Sequence, residues 1–122
     1  MNGNMNGNSW YTATIDSTYF TYRKYSEIVR PPPTGAFVFV DEHPDDIGDG
    51  YLLVNMTAHN GWGNMPANYH NGACGFSFAD GHSEIKRWQV STTIVPFSVW
   101  PVPTGPDRRD FLWVSQRATY PQ

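Results

Sequence analysis

Carboxylates concentrated in one short segment are the sharpest chemical feature of this chain. Five of its eleven acidic residues lie within ten positions: Asp41, Glu42, Asp45, Asp46 and Asp49. Carboxylates held this closely repel one another unless a positive charge lies among them. Calcium suits such a segment because it takes six to eight oxygen ligands in flexible geometry. The alternative is that these acids cap turns and face water, as aspartate commonly does in loops.

A predicted hairpin adds one more acid to this set. Asp80-Gly81 lies between two alternating runs, 74–79 and 82–88, and Asp-Gly is a favoured pair for a two-residue hairpin turn. Such a turn would place Phe76 opposite Ile85 on a buried face. If the strands 36–41, 51–55, 74–79 and 82–88 form a simple meander, the turn and the acidic loop meet at one end of the sheet. The predicted calcium ligands are therefore Asp41, Glu42, Asp46, Asp49 and Asp80.

The same hairpin offers a candidate catalytic arrangement. In the two-residue register Ser77, His82 and Glu84 share the wetter face of the hairpin, which is the composition of a Ser-His-Glu site. The chain has no G-x-S-x-G elbow and no evident oxyanion hole to support it. A calcium-dependent hydrolase that polarises an ester or lactone carbonyl is the other enzymatic alternative.

His70 and Asp80 do not form a pair in this prediction. The run 74–79 spans about 20 Å if it is extended, so the two residues lie at opposite ends of one strand. We therefore interpret His70 as a loop anchor that bonds to the backbone near residues 66–69. His82 is expected to be the histidine that approaches the acidic loop.

Several blocks of the chain resemble a known family. The histidine at position 70, nine residues and then Asp80-Gly81 match the H-x9-DG signature of prepilin-like, pseudopilin-related proteins. Residues 36–50 (AFVFVDEHPDDIGDG), 62–71 (WGNMPANYHN), 78–84 (FADGHSE) and 110–117 (DFLWVSQR) are similar to further blocks of that family, in the same order. His70, Asp80 and Gly81 are the structural signature in this resemblance.

The resemblance implies the globular head of a pseudopilin-like protein involved in type II secretion. Such a head binds neighbouring pilin-like subunits or exported cargo, in the cell envelope or outside the cell. Related major pseudopilins carry a calcium site in a loop of the C-terminal sheet, although their ligand positions do not map onto this chain. The family's basic leader and long apolar helix are not found here, so we expect the chain as given to be soluble and cytoplasmic, without a membrane span.

Composition bounds the remaining possibilities. The 122 residues predict one domain, 1–122, of the α+β class and mainly β: a small antiparallel sheet of about four strands, long loops and one or two short helices. A helix is expected over 107–118 with Asp107 as its N-cap. The net charge of −3 gives no electrostatic case for nucleic acid, and bare sheet edges could pair two copies of the chain.

Two further residues are candidates for reactivity or binding. Cys74, the single cysteine, lies on the apolar face of the predicted hairpin and is expected to be a buried, inert thiol. Trp62, in a long loop, is the one tryptophan suited to stacking on a glycan, which leaves a carbohydrate-binding module as a further alternative.

Overall fold

A small antiparallel sheet and one helix organise the part of the chain that the structure describes. The structure is a computed structural model that describes residues 1–5, 18–54, 56, 62–97 and 104–122. Its strands are β1 (Phe37–Val40), β2 (Ala73–Phe78) and β3 (Ser83–Arg87), and its helix is α1 (Arg109–Ala118); single 3-10 turns occupy Tyr25–Glu27 and Pro44–Asp46. The described residues therefore contain more strand than helix, which confirms the predicted α+β, mainly β class.

The sheet has the order β1-β2-β3, so β1 pairs directly with β2. This corrects the predicted meander, in which a strand over 51–55 separated them. Leu52 forms only an isolated bridge with Asn2, and residue 55 lies outside the described residues. Leu52 and Val54 are nevertheless buried, so their alternation arises in an extended loop segment that packs on the core.

The hairpin between β2 and β3 differs by one residue from the predicted register. Phe76 pairs with Glu84 and Gly75 pairs with Ile85. The connection is a three-residue loop, closed by the Phe78 N–H donating to the His82 carbonyl at 2.9 Å, with Gly81 at φ 94°. Asp-Gly fits this longer loop equally well, because its glycine supplies the left-handed residue that follows a type I turn. As a result Ile85 lies on the open face and is 75% exposed.

A bulge in β1 lets this strand fill the core. Phe37 pairs with Phe78 and Val40 pairs with Phe76, with the register shifting between them. The extra residue places both Phe37 and Val40 on the core side, although they are three positions apart. Phe37 packs edge-on against Phe76, with ring centroids 5.4 Å apart.

Helix α1 covers the core face of the sheet. Its buried residues Phe111, Val114 and Ala118 join the main core, and the Trp113 ring lies 5.1 Å from that of Phe76. The helix begins two residues later than predicted, with Arg108 at the N-cap. Asp107 lies one residue further out and still accepts the Arg109 N–H at 3.2 Å.

A buried carboxylate fastens this helix to the end of β3. Asp110 is 1% exposed, and its Oδ2 accepts the N–H groups of Gln89 and Val90, each at 2.9 Å. Its Oδ1 lies 3.6 Å from the Lys86 ammonium, which also lies over the rings of Trp88 and Trp113. The sequence prediction assigned no role to this residue.

The two outer edges of the sheet differ. The edge of β1 is covered in part by the N-terminal segment, since the Asn2 N–H donates to the Val38 carbonyl and the Asn2 amide donates to Phe37. On β3, His82 and Trp88 bond toward β2, so the backbone groups of the alternate residues Ser83, Ile85 and Arg87 point away from the sheet. None of the hydrogen bonds among described backbone groups involves these three residues on that side.

Candidate functional site

The open face of the sheet forms a groove. Two adjoining cavities of about 460 and 500 Å³ lie along it and share Asp41, Gly75 and Ile85. The centre of β2 carries only Gly75 and Ser77 on this face, while Phe39 on β1 and Ile85 on β3 rise on either side. We call this feature the outer groove, lined by Phe39, Asp41, His70, Gly75, Ser77, Ile85 and Arg87.

An Asp-His pair lies at one end of the outer groove. The Asp41 carboxylate lies 3.3 Å from His70 Nε2, and both side chains are about half exposed. Asp41 reaches this position because it follows β1, where its N–H donates to the Gly75 carbonyl at 3.2 Å. Glycine at position 75 leaves room for the carboxylate, since a Cβ atom would lie 2.9 Å from Asp41 Oδ2 and the carboxylate would have to move. The pair faces solvent and can accept or donate protons to a bound molecule.

A tight turn delivers His70 to this end of the groove. Asn71 and Gly72 have positive φ values of 53° and 73°, which asparagine and glycine tolerate better than other residues. The turn is closed by the Gly72 N–H, which donates to the Asn68 carbonyl at 2.9 Å. His70 thus contacts Asp41 at the start of β2 and not the backbone of residues 66–69, which corrects its predicted partner.

The signature residues His70 and Asp80 lie at opposite ends of β2, as predicted. Asp80 follows the far end of this strand, where its Oδ1 lies 2.5 Å from His82 Nδ1. This hydrogen bond with His82 holds the pKa of Asp80 below its usual value. Asp80 and His82 therefore form a turn contact, with the His82 ring stacked on Phe78 at 4.4 Å.

This geometry separates Asp80 from the acidic loop. Asp41 lies beside Gly75, and Asp80 is five residues further along β2 and its turn, or about 16 Å away at the rise of a strand. The predicted common rim is wrong because β1 runs antiparallel to β2, so the end of β1 meets the start of β2. The prediction that His82 approaches the acidic loop is wrong for the same reason.

Two acids of the loop accept backbone N–H groups. Asp49 Oδ1 accepts the Tyr51 N–H at 2.8 Å within a turn, and Asp46 accepts the N–H of Met65 from a distant segment. Glu42 differs, because its Oε1 is buried without a hydrogen-bond partner among the described residues. Burial, followed by the charge of Asp46, raises the pKa of Glu42 to about 7. No three His, Cys, Asp or Glu side chains converge as metal ligands within the part of the chain that the structure describes.

The alternative catalytic set is not assembled. Ser77 pairs with Ser83, whereas Glu84 pairs with Phe76, so Ser77 and Glu84 lie on opposite faces of the hairpin. His82 lies on the same face as Glu84, stacked against Phe78. The prediction that Ser77, His82 and Glu84 share one face is therefore wrong, because the observed register differs from the predicted one by one residue.

Trp62 and Cys74 are both core residues. Trp62 is 2% exposed and packs edge-on against Phe111, with centroids 5.1 Å apart, so it cannot stack on a glycan in this fold. Cys74 is a free cysteine and is buried, which confirms the burial that was predicted, and burial raises its pKa to about 12, as an inert thiol would require.

The groove itself was missed by the sequence prediction. Asp41 and His70 were both singled out, but their contact depends on the direct pairing of two strands separated by more than thirty residues. The glycine in the middle of β2 was the available local signal, since glycine inside a strand marks a close approach to the backbone.

Comparison with known proteins gave no further assignment. No protein-family model, curated protein or solved structure matches this chain significantly. The resemblance to pseudopilin-like proteins thus stays a prediction from the sequence blocks. Among the described residues, no helix has both the length and the apolar character needed to span a membrane.

Proposed function

We propose that this chain is a structural and interaction module, the globular head of a pseudopilin-like protein. It binds neighbouring pilin-like subunits or exported cargo through the outer groove, in the cell envelope or outside the cell. The observation that carries this proposal is the exposed apolar face of the sheet. Phe39 is 58% exposed and Ile85 is 75% exposed on its two sides, and exposed apolar surface of this kind is typical of binding faces.

The polar end of the outer groove would give this surface its selectivity. Asp41 and His70 lie at the start of β2, and the nearby Arg87 guanidinium donates to the Asn71 carbonyl at 3.2 Å. A partner segment with an apolar side chain for the groove and a polar group for this end would satisfy both parts of the surface.

Site-directed photo-cross-linking tests the proposal. A photoreactive phenylalanine analogue replaces Phe39 in cells that make the protein, and the matched control carries it at Phe97, which is 75% exposed. We expect a discrete adduct from position 39 with a pilin-like subunit or an exported protein, and none of it from position 97. Equal adducts from both positions, or none from position 39, would contradict the proposal.

A hydrolase acting on an ester or lactone is a second candidate, and the Asp41–His70 pair favours it. A histidine held by a carboxylate in a groove is suited to general base catalysis. Turnover of ester or lactone substrates, lost in both Asp41→Asn and His70→Gln while the thermal melt is unchanged, would support this candidate. Turnover that persists in both variants would eliminate these residues as its source.

Calcium remains a proposal for the acidic loop alone. A bound cation there is favoured by the Glu42 oxygen, which has no hydrogen-bond partner among the described residues. The charges of Asp46 and Asp49 lie close enough to act on the pKa of Glu42 and favour it as well. Asp80 is too distant to share it. Elemental analysis together with thermal melts in calcium and in chelator tests this proposal, and the absence of both metal and a melting shift would contradict it.

A further inference from the structure

We propose that two copies of this chain pair through the outer edge of β3, in an antiparallel register that places Ile85 opposite Ile85 of the second copy, so that the two described sheets join into one. This inference rests on the proposed interaction role and names a second copy as one of its partners.

The first support is the exposed backbone of β3. Ser83, Ile85 and Arg87 direct their N–H and C=O groups away from β2, and no described backbone group bonds to them on that side. An edge strand that exposes such a row is a template for pairing with another strand. Four of the five residues of β3, from Ser83 to Arg87, are exposed, and Lys86 is partly so. The edge of β1 differs, because the N-terminal segment covers part of it.

The second support is the sequence of β3, which is complementary to itself. When Ile85 lies opposite Ile85 of the second copy, Ser83 lies opposite Arg87, and all outward-pointing residues form hydrogen-bonded pairs. Glu84 of each copy then lies opposite Lys86 of the other, so the two-fold axis generates two such pairs. Opposite charges in directly facing positions stabilise antiparallel strands.

Charge also selects this register over its neighbours. Sliding one copy by two residues in one direction places Glu84 opposite Glu84, and sliding it the other way places Lys86 opposite Lys86. Like charges directly opposite each other destabilise a strand pair. The register centred on Ile85 is therefore the one that pairs all five residues and opposes unlike charges.

The interactions that Lys86 already makes are compatible with this pairing. Its ammonium lies 3.6 Å from Asp110 and its side chain is 15% exposed, so it is held on the core side of β3. Glu84 is exposed and lies on the same side. The carboxylate of a second copy would approach a lysine whose position is already fixed.

Sedimentation velocity of the full chain tests the pairing. A single-edge interface is small, so we expect weak association, with the average mass rising from 13.8 kDa toward twice that value between about 10 µM and about 1 mM. Ile85→Lys places like charges at the two-fold axis and should weaken association at least tenfold. Phe97→Lys, at an equally exposed apolar residue, should associate like the original chain.

Disulfide trapping tests the register. In a Cys74→Ala background, Ile85→Cys brings two thiols to Cα atoms about 5.5 Å apart, within bonding range, and oxidation should give a covalent dimer. Ser83→Cys should not, because the two positions lie about 13 Å apart along the strands. A chain that stays monomeric at the highest concentration, or a dimer trapped from Ser83→Cys and not from Ile85→Cys, would overturn the inference.

These outcomes are separable from those of the proposed function. A monomeric chain that still forms the specific adduct from Phe39 contradicts the β3 pairing and leaves the interaction role standing. Loss of that adduct together with intact dimers contradicts the role of the groove and leaves the pairing standing.

Discussion

Replacing the buried carboxylate of Asp110 should destabilise the fold more than any change at an exposed acid. In Asp110→Ala the N–H groups of Gln89 and Val90 lose their acceptor, and Lys86 loses its counter-ion beside α1. Hydrogen bonds to a charged group contribute about 1.5–3 kcal/mol, and removing one partner of a buried ion pair costs about 3–5 kcal/mol. Because these contacts share one carboxylate, we expect a loss of about 3–5 kcal/mol in the free energy of unfolding.

A second substitution separates the two contributions. Asp110→Asn keeps a side-chain oxygen for the two N–H groups but removes the negative charge beside Lys86. We expect it to cost about 1–3 kcal/mol, less than Asp110→Ala, because the backbone donors stay bonded. Asp107→Ala is the matched control, since Asp107 lies three residues earlier on the surface, where solvent screens its ion pair with Arg109, and it should cost much less than Asp110→Ala.

Urea unfolding followed by tryptophan fluorescence measures all three variants. Trp88 and Trp113 both lie beside Lys86, so their emission reports on this region. A loss below about 1 kcal/mol in Asp110→Ala, or equal losses in Asp110→Ala and Asp107→Ala, would refute the reasoning from burial.

Three further predictions concern titration, the groove and the thiol. The pKa of Glu42 is raised to about 7 in the folded chain, above its unfolded value of about 4.5. Protonation of Glu42 therefore stabilises the fold fully below about pH 4.5, and this stabilisation is lost as the pH rises through 7. Glu42→Gln should flatten that decline in thermal melts, by an amount on the order of 1 kcal/mol after solvent screening. Gly75→Ala should displace the Asp41 carboxylate, so the NMR signals of the His70 ring shift as they do in Asp41→Asn while the fold persists. Cys74 should resist thiol reagents in the folded chain and react on unfolding, because it is buried and its pKa is raised to about 12.

Each of these predictions has a contrary result. A pH dependence that is identical in Glu42→Gln and the original chain would assign the decline to other groups. Unchanged His70 signals in Gly75→Ala would mean that the carboxylate tolerates the added methyl group. Rapid labelling of Cys74 at neutral pH in the folded chain would contradict its burial.

Local patterns predicted the elements of this fold well. The alternating runs around Asp80-Gly81 became β2 and β3, and the apolar run before the acidic loop became β1. The hairpin register was wrong because Asp-Gly serves both two- and three-residue loops, and the sequence offers nothing that distinguishes them there. That single residue decides which face Ile85 and Glu84 occupy, while Ser77 lies on the open face in either register.

Long-range pairing was beyond the local patterns. Alternation over 51–55 predicted a strand, yet the same alternation of burial arises when Leu52 packs on the core through bonds with the N-terminal segment. Because no strand forms there, β1 pairs directly with β2. The acidic loop that follows β1 therefore lies at the opposite end of β2 from the one predicted. Asp41 then meets His70 in place of Asp80, so the residues of the candidate site were identified but their partners were not.

The cross-linking comparison between Phe39 and Phe97 tests the central claim most directly. Both positions carry an exposed phenylalanine, but only Phe39 lines the outer groove. If the protein is an interaction module that uses this groove, we expect an adduct with a pilin-like subunit or an exported protein from position 39 alone. The same adducts in equal yield from position 97, or no adduct from position 39, would contradict it.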